Sequence, residues 1–543
     1  MRLLGLDRRV LPGLLLVLAS ACGDDIPGAD GGSGTETDGS TSGATTSSPT
    51  TNATNSTNST TAPTTTAMDT TGDPDTGSGG TATDSGGSLE VDVEVITYAQ
   101  QPMVVDVSFS VPDLTVTASV SNDPGVVVAT IAGDADETRV RLRGLAPATL
   151  HSLEWSVEDG AGASADGQTD VQTLAPLPGF VPSFAVEGDA TGLGGYLLFD
   201  VVELGMPAYS SLFAVDDQGV TRWHYGLDNA AIDPSIVYAA AQLRPDGTTM
   251  FLRDYAIVAI DELGEETFRL DSATIGVPGL HHDFVELPNG NFLTMTYTFA
   301  DINDPGPGTT YVAGDMLLEV TPDGTIVWEW NMFDHLDVDR RPPGFDEIVI
   351  HPETGEAAQD WTHSNGLLYE EATDSVLVSI RHQDWLVRVD RNTDQIVWRF
   401  GFEGDFTLTQ GTWQWHQHSP QWQPDGSLLV YDNGLHNPNV PDDMESSRAV
   451  RYTIDEMAMT AAQVWEDQEE DFLVPIAGDA NLLDDGTYLV TDSSIDFGIL
   501  MPYAQIRKVD EASPADPQWT LLTEVGTFVY RCVIAPRLIG IAE

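Results

Sequence analysis

Histidines recur at one position of a repeated motif in this chain. In His282-Asp-Phe-Val-Glu-Leu-Pro-Asn-Gly290 and in His418-Ser-Pro-Gln-Trp-Gln-Pro-Asp-Gly426 the histidine stands eight residues before the turn glycine. Each glycine is followed by an apolar run, Asn-Phe-Leu-Thr in one case and Ser-Leu-Leu-Val in the other. His363 opens a similar unit with a looser turn, Glu370 to Asp374, ahead of Val376-Leu-Val-Ser379. Two further copies carry Ala239 (turn Gly247) and Gly478 (turn Gly486) at that offset. A hairpin repeated around a closed ring sets equivalent residues at equivalent radius and height, so the three imidazoles are expected to converge on one pocket. Asn365, two residues after His363, shares its strand face. Arg381 ends the run Val376-Leu-Val-Ser-Ile-Arg381 on the partner strand. Three imidazoles, an amide and a guanidinium make an oxyanion site, and the pattern demands no carboxylate in it.

Two rival readings use the same residues. Three histidines suit a three-ligand zinc site, but Arg381 would repel the ion, and neither His-x-x-x-His nor His-Glu-x-x-His spacing occurs. The reading is therefore no metal and no cofactor. The other rival is a scaffold ring whose histidines only line the core or rim. His416 is placed to face the same side as His418, whereas His281 points away if His282 points in. His151, His224, His335, His351 and His436 have no repeat support and read as surface or turn residues.

The elements that must position this pocket are strands. Asp216-Asp-Gln-Gly-Val-Thr-Arg-Trp223 recurs as Asp261 to Phe268, Thr321 to Trp328 and Asp390 to Trp398, and more weakly as Thr453 to Trp465 and Asp510 to Trp519. Each copy offers a polar turn followed by an aromatic that packs on the neighbouring unit. Six such copies predict an all-β fold, a six-bladed β-propeller over residues 178–543. Amphipathic helical stretches are scarce. Trp413, Trp415, Trp422 and Tyr431 read as packing between blades, with an aryl-stacking wall as their other use.

Residues 88–175 carry short alternating runs, among them Val91 to Val95, Val104 to Val111, Thr115 to Val120 and Val126 to Ile131, each bounded by Asp, Gly or Pro. Arg141-Leu-Arg-Gly-Leu-Ala-Pro-Ala-Thr149 followed by Leu153 to Val157 resembles the fibronectin type III signature, so a β-sandwich serving as spacer or lid is expected there. Residues 23–87 are Thr, Ser, Gly, Asp and Ala with almost no large apolar side chain, which predicts a disordered tether.

Composition narrows the functions. With 85 acidic against 22 basic residues the formal net charge is -63, which repels nucleic acid and anionic membrane. Lys508 is the only lysine, which removes P-loop phosphate binding and argues against Schiff-base chemistry. At the N-terminus Arg2, Arg8 and Arg9 flank an apolar run, Val10 to Ala19, too short for a permanent span. Residues 1–22 read as a lipoprotein signal peptide ending in Leu18-Ala-Ser-Ala-Cys22, with Cys22 acylated on its sulfur. The expected location is the cell envelope, at the outer membrane, touching the bilayer only through that anchor. Cys532 is then a lone thiol, and no internal disulfide is expected.

Several motifs in one order give a more specific indication. Thr362-His-Ser-Asn-Gly366, Ser379-Ile-Arg381, Asp390 with Ile396-Val-Trp-Arg-Phe-Gly401, Gln417-His418, Tyr431-Asp-Asn-Gly434 and Ser447-Arg448 together resemble the bacterial arylsulfotransferase family, best from about Gly279 to Tyr452. The resemblance implies a six-bladed propeller with an N-terminal β-sandwich. It also implies an exported enzyme that moves sulfuryl groups from an aryl sulfate donor to a phenolic acceptor, without a nucleotide donor, through a covalent sulfohistidine. By match of motif it implies His418 as nucleophile, with His282, His363, Asn365 and Arg381 holding the sulfate and His363 or His282 exchanging protons. The lipid anchor, the acidic tether and the lack of a disulfide pair depart from that pattern, and the first propeller blades match it weakly. The alternatives are a non-enzymatic surface propeller lipoprotein that binds a ligand or partner, and a quinoprotein-like or metal-dependent oxidoreductase.

Overall fold

In the computed structural model the described residues are 89–542, apart from 190–192, 204–209, 227–238, 303–310, 342–346, 442–443, 468–471 and 496–501. The expected signal peptide, its Cys22 and the tether lie outside the described residues. Regular structure among the described residues is almost wholly strand, and the helices are single turns, Ser272–Ile275, Met332–His335 and the 3-10 turn Arg381–Gln383.

The N-terminal strands form two antiparallel sheets. One runs Val93–Tyr98, Gln101–Phe109, Thr138–Arg143, Val127–Ile131, and the other Thr115–Val120, Leu150–Glu158, Ser164–Gln172. The first two strands are shifted from their expected bounds because Tyr98 and Gln101 form the hairpin end. Alternation drives the packing: Val105, Val107, Phe109, Val140 and Leu142 of one sheet share an apolar cluster with Leu153, Val157 and Val171 of the other.

Six further sheets follow in chain order, antiparallel except where Tyr311–Val320 pairs with Ala357–Asp360 and Thr407–Gln410 with Thr460–Glu466. Their first three or four strands are consecutive hairpins, as in Ser364–Glu370, Ser375–Ile380, Trp385–Asp390, Gln395–Gly401. The turn glycines Gly247, Gly290, Gly426 and Gly486 all have φ between 81° and 88°, a conformation that is cheap only for glycine and that closes the tight hairpin. Middle strands such as Ala256–Ile260 and Ser375–Ile380 are buried at every residue, because each sheet packs a neighbour on both faces. Six apolar clusters join consecutive sheets. The last of these sets Leu489, Ile506 and Trp519 of the sixth sheet against Leu197, Phe199 and Phe213 of the first.

The repeated aromatic has a second task, since its indole N–H reaches the next sheet's turn. Trp223 donates to the Glu262 carbonyl at 2.9 Å, Trp328 to Asp394 Oδ1 at 2.9 Å, and Trp465 to the Glu511 carbonyl at 3.3 Å. Trp519 of the sixth sheet donates to the Asp217 carbonyl of the first at 3.1 Å. The two ends are also interlaced. Tyr196–Glu203 pairs with Thr527–Phe528 and Cys532–Ala535, while Ala185–Gly188 pairs with Trp519–Leu522. The opening strands of successive sheets touch in order, from Ala239–Leu243 through Leu280–Glu286, Ser364–Glu370 and His418–Trp422 to Asp479–Leu482. The N-terminal sheets dock on this assembly by charge: Arg141 and Arg143 both bond Glu262, and Arg222 bonds Asp123 at 2.9 Å.

One buried carboxyl ties the C-terminal segment to the first sheet. Asp200 accepts the Tyr530 N–H at 2.9 Å through Oδ1, and its buried Oδ2 has no hydrogen-bond partner. Burial pushes its pKa up to about 7, against the opposing backbone N–H bonds. The folded state therefore binds the Asp200 proton more tightly than the unfolded chain, and stability falls as pH rises from about 4 to about 7. Asp200→Asn keeps an acceptor for Tyr530 and has no proton to lose. Its melting temperature is expected to exceed that of the wild type by a margin that grows across this window and is flat above it. A margin independent of pH would sink the assignment.

Candidate functional site

The opening strands do not begin as regular strands. His282 has φ +60° and His363 φ +50°, and the ladders slip between Leu280 and Phe284, between Ser364 and Gly366, and between His418 and Gln421. A bulge there re-aims side chains toward the centre of the assembly. The left-handed residue is the repeat histidine itself at His282, but Ser419 (φ +47°) in the copy that carries His418. Equal offset from the turn glycine thus does not mean equal backbone direction.

His282, His363, Asn365, Arg381 and His418 are all buried. The His282 and His363 rings lie 5.0 Å apart, and His363 is 4.6 Å from His382. Arg381 opens the 3-10 turn, its N–H donates to the His363 carbonyl at 3.1 Å, and its Nη1 is 2.6 Å from His382 Nε2. Asn365 donates through Nδ2 to the Gln417 carbonyl at 2.9 Å, which fixes it beside the residue preceding His418. His418 makes its own Nδ1 contact with Asn433 Oδ1 at 2.6 Å. His282, His363 and Arg381 therefore form one continuous cluster through His382, and Asn365 links that cluster to the His418 strand.

Several sequence expectations are corrected. His281 does not point away: its Nδ1 is 2.7 Å from that of His282, and its ring stacks on Tyr297 at 4.1 Å. The bulge cancels the alternation on which the expectation rested. His151 and His224 are buried within strands, whereas His351 caps a turn and His436 stands in one, 5.3 Å from His416. His335 is partly buried and stacks on Trp330. Asn365 does not take its place from strand alternation either, because the ladder slips at Ser364. Trp413 packs on Phe400, and Tyr431 bonds Asp492 at 2.8 Å, so both serve packing.

Carboxylates, which the motif pattern did not demand, surround the cluster. Asp360 Oδ2 is 2.6 Å from His363 Nδ1, and its carbonyl accepts from His382 Nδ1 at 2.9 Å. Glu347 accepts from Arg381 Nη1 at 2.9 Å and contacts His382 Nε2. Burial alone would raise the Glu347 carboxyl, but Arg381 and His382 outweigh it and hold it well below the ordinary range. Burial likewise opposes charge on His382, yet Glu347 and Asp360 prevail and raise its pKa. His416 behaves oppositely: burial dominates and lowers its pKa to about 4 despite Asp384 at 3.0 Å. His416 is therefore neutral at neutral pH, and Asp384 orients it.

From the C-terminal segment, Arg531 donates to Asp283 Oδ2 at 2.9 Å and to the Asn365 carbonyl at 2.6 Å. The Tyr530 ring stands 6.2 Å from His282. Sequence reading missed Glu347, Asp360, His382 and Arg531. His382 adjoins Arg381 and Asp360 lies three residues before His363, so proximity to a chosen residue was the only signal.

Glu347, His363 and His382 bring three ligand atoms within 4.8 Å of one another, as do Glu347, His416 and His436. Both sets share Glu347, whose charge is already met by the Arg381 guanidinium and by His382. A metal ion there would have to displace or adjoin the guanidinium, so these residues fit a divalent cation poorly.

Comparison with known proteins places the chain. A family model described as Arylsulfotransferase (ASST) matches residues 194–531. An arylsulfate sulfotransferase AssT of Escherichia coli O6:H1 (strain CFT073) is 26% identical over 362 residues, covering 53% of this chain and 57% of that protein. The AssT of Lelliottia amnigena is 23% identical over 352 residues, with the same shares covered. The chain thus spans a little over half the length of the curated relatives it matches. A Mycobacterium tuberculosis puromycin-hydrolyzing peptidase overlays only loosely, with TM-score 0.29 and 13% identity over 73% of this chain and 53% of that one.

Proposed function

We propose, from the premise that this chain belongs to the arylsulfotransferase family, that it transfers a sulfuryl group from an aryl sulfate ester to a phenolic acceptor in two half-reactions through a sulfohistidine at His418. The observation that carries this reading is the buried Arg381 guanidinium beside the His282–His363–His382 imidazoles, inside the matched segment. In the same reading the six sheets are the blades of a propeller, residues 88–175 are a fibronectin type III-like sandwich, and residues 1–87 are a lipoprotein signal and tether at the outer membrane.

The chemistry follows from charge. An aryl sulfate bears one negative charge, and its transferring group spreads charge over three oxygens, so catalysis rests on alignment and electrostatic stabilisation. The lone pair of a neutral His418 imidazole attacks sulfur, the S–O bond to the aryl group breaks, and that pair leaves on the phenoxide. A phenol then attacks sulfur, the N–S bond breaks, and the pair returns to the imidazole. Arg381, with Asn365 and His282 beside it, balances the sulfuryl oxygens. Of the two proton-exchange candidates, His363 is the better equipped, because Asp360 at 2.6 Å stabilises its charged form. His282 Nδ1 is instead engaged with His281 Nδ1 at 2.7 Å.

Incubation with 4-nitrophenyl sulfate followed by peptide mass spectrometry is expected to show one added SO3 on the peptide holding His418. Varied donor and acceptor are expected to give parallel double-reciprocal lines. No 4-nitrophenol release and no mass change would leave a binding propeller as the better account.

A further inference from the structure

Resting on that reading of His418, we propose that Asn433 is a positioning residue that decides which imidazole nitrogen attacks sulfur. A carboxamide can turn either end toward a partner, but this one is locked. Its Nδ2 donates to the Val474 carbonyl at 2.7 Å and to the Ala477 carbonyl at 2.8 Å. Carbonyls accept only, so the amide nitrogen must lie on their side, and Oδ1 must face His418. Oδ1 also accepts only. The contact of 2.6 Å with His418 Nδ1 therefore requires the proton on Nδ1 and leaves the neutral lone pair on Nε2. The nucleophile is Nε2, and the intermediate is the Nε2-sulfo form with Nδ1–H still bonded to Asn433.

The choice of an amide has a chemical reason. His363 faces Asp360 and His382 faces Glu347, and such a carboxylate favours the protonated ring. A nucleophile needs the reverse. A neutral acceptor fixes the tautomer without adding a negative charge that would favour the protonated ring. It also gives little extra stabilisation to the positively charged ring of the N-sulfo intermediate, which remains a good leaving group when the phenol attacks. His363 and His382 have carboxylate partners suited to proton exchange, whereas His418 is placed for covalent work.

Two readouts test this separately from the transfer reaction. With histidine labelled by nitrogen-15 and the His418 signals assigned by their loss in His418→Gln, the wild type should show the Nδ1-protonated tautomer. An Nε2-protonated ring would overturn the proposal, whether or not the protein transfers sulfate. Asn433→Leu removes the acceptor at similar volume. It should lower kcat by about 10²-fold or more with little change in KM, and shift His418 away from the Nδ1-protonated form. Asn433→Asp should recover much of the loss, because only a protonated oxygen tolerates the two carbonyls and the other oxygen still faces His418. A folded Asn433→Leu with unchanged kcat and unchanged tautomer would overturn the proposal. A wild type with the expected tautomer but no sulfohistidine would leave it standing and sink the proposed function instead.

Discussion

His418→Ala is expected to reduce sulfuryl transfer from aryl sulfates by about 10⁴-fold or more, to the level of the reaction without covalent capture. No other imidazole of the cluster inherits the role. His363 is bound to Asp360 and His382 to Glu347, while His416 lies under Asp384. Removing the ring also leaves Asn433 Oδ1 buried without its donor, at a cost of about 1–3 kcal/mol. A melting temperature lowered by a few degrees is therefore part of the expected result and does not signal misfolding. Steady-state release of 4-nitrophenol by the purified variant checks the rate, and circular dichroism checks that the strand signal persists. Full activity in this variant would transfer the nucleophile's role to another group, with His416 the first to examine.

Arg381 has the second largest expected effect, and here two losses must be separated. In the proposed reaction its guanidinium stabilises the transferring oxygens, so Arg381→Ala should cost on the order of 10²–10³ in rate. It also neutralises Glu347, and deleting one member of a buried ion pair costs roughly 3–5 kcal/mol of stability. Arg381→Lys separates the two. A lysine ammonium still offers Glu347 a positive charge, so this variant is expected to fold. A point charge cannot reproduce the planar fork of donors, so its rate should stay well below wild type. A lysine variant with wild-type kcat would mean that charge alone, without the fork, suffices at this position.

Much of this architecture could be read from residue order. The turn glycines Gly247, Gly290, Gly426 and Gly486 each occupy the left-handed region that a tight hairpin needs. The spaced aromatics found their second purpose as donors to the next sheet's turn. The site was legible where it depended on the repeat and obscure where it did not. Strand alternation placed His281 outward, but a bulge at His282 that no glycine announces brings the two imidazoles together. His382 has no repeat support, and it enters the cluster because the chain leaves the strand at Arg381 for a 3-10 turn. Glu347 sits in a connection without repeat support. Asn433 lay in view within Tyr431-Asp-Asn-Gly434, yet its meaning depends on the Val474 and Ala477 carbonyls, which only folding brings to it.

The pairing of Tyr196–Glu203 with Thr527–Phe528 and Cys532–Ala535 also sets a timetable. Between those two short strands lie Tyr530 and Arg531, which bring the ring near His282 and the cation that bonds Asp283 and Asn365. During synthesis, every histidine of the cluster precedes Arg531 by more than a hundred residues. An incomplete chain already holds the whole set of imidazoles but neither the strand that completes the first sheet nor the cation that belongs with it. Completion of the first sheet and delivery of this cation to the site thus depend on the same segment.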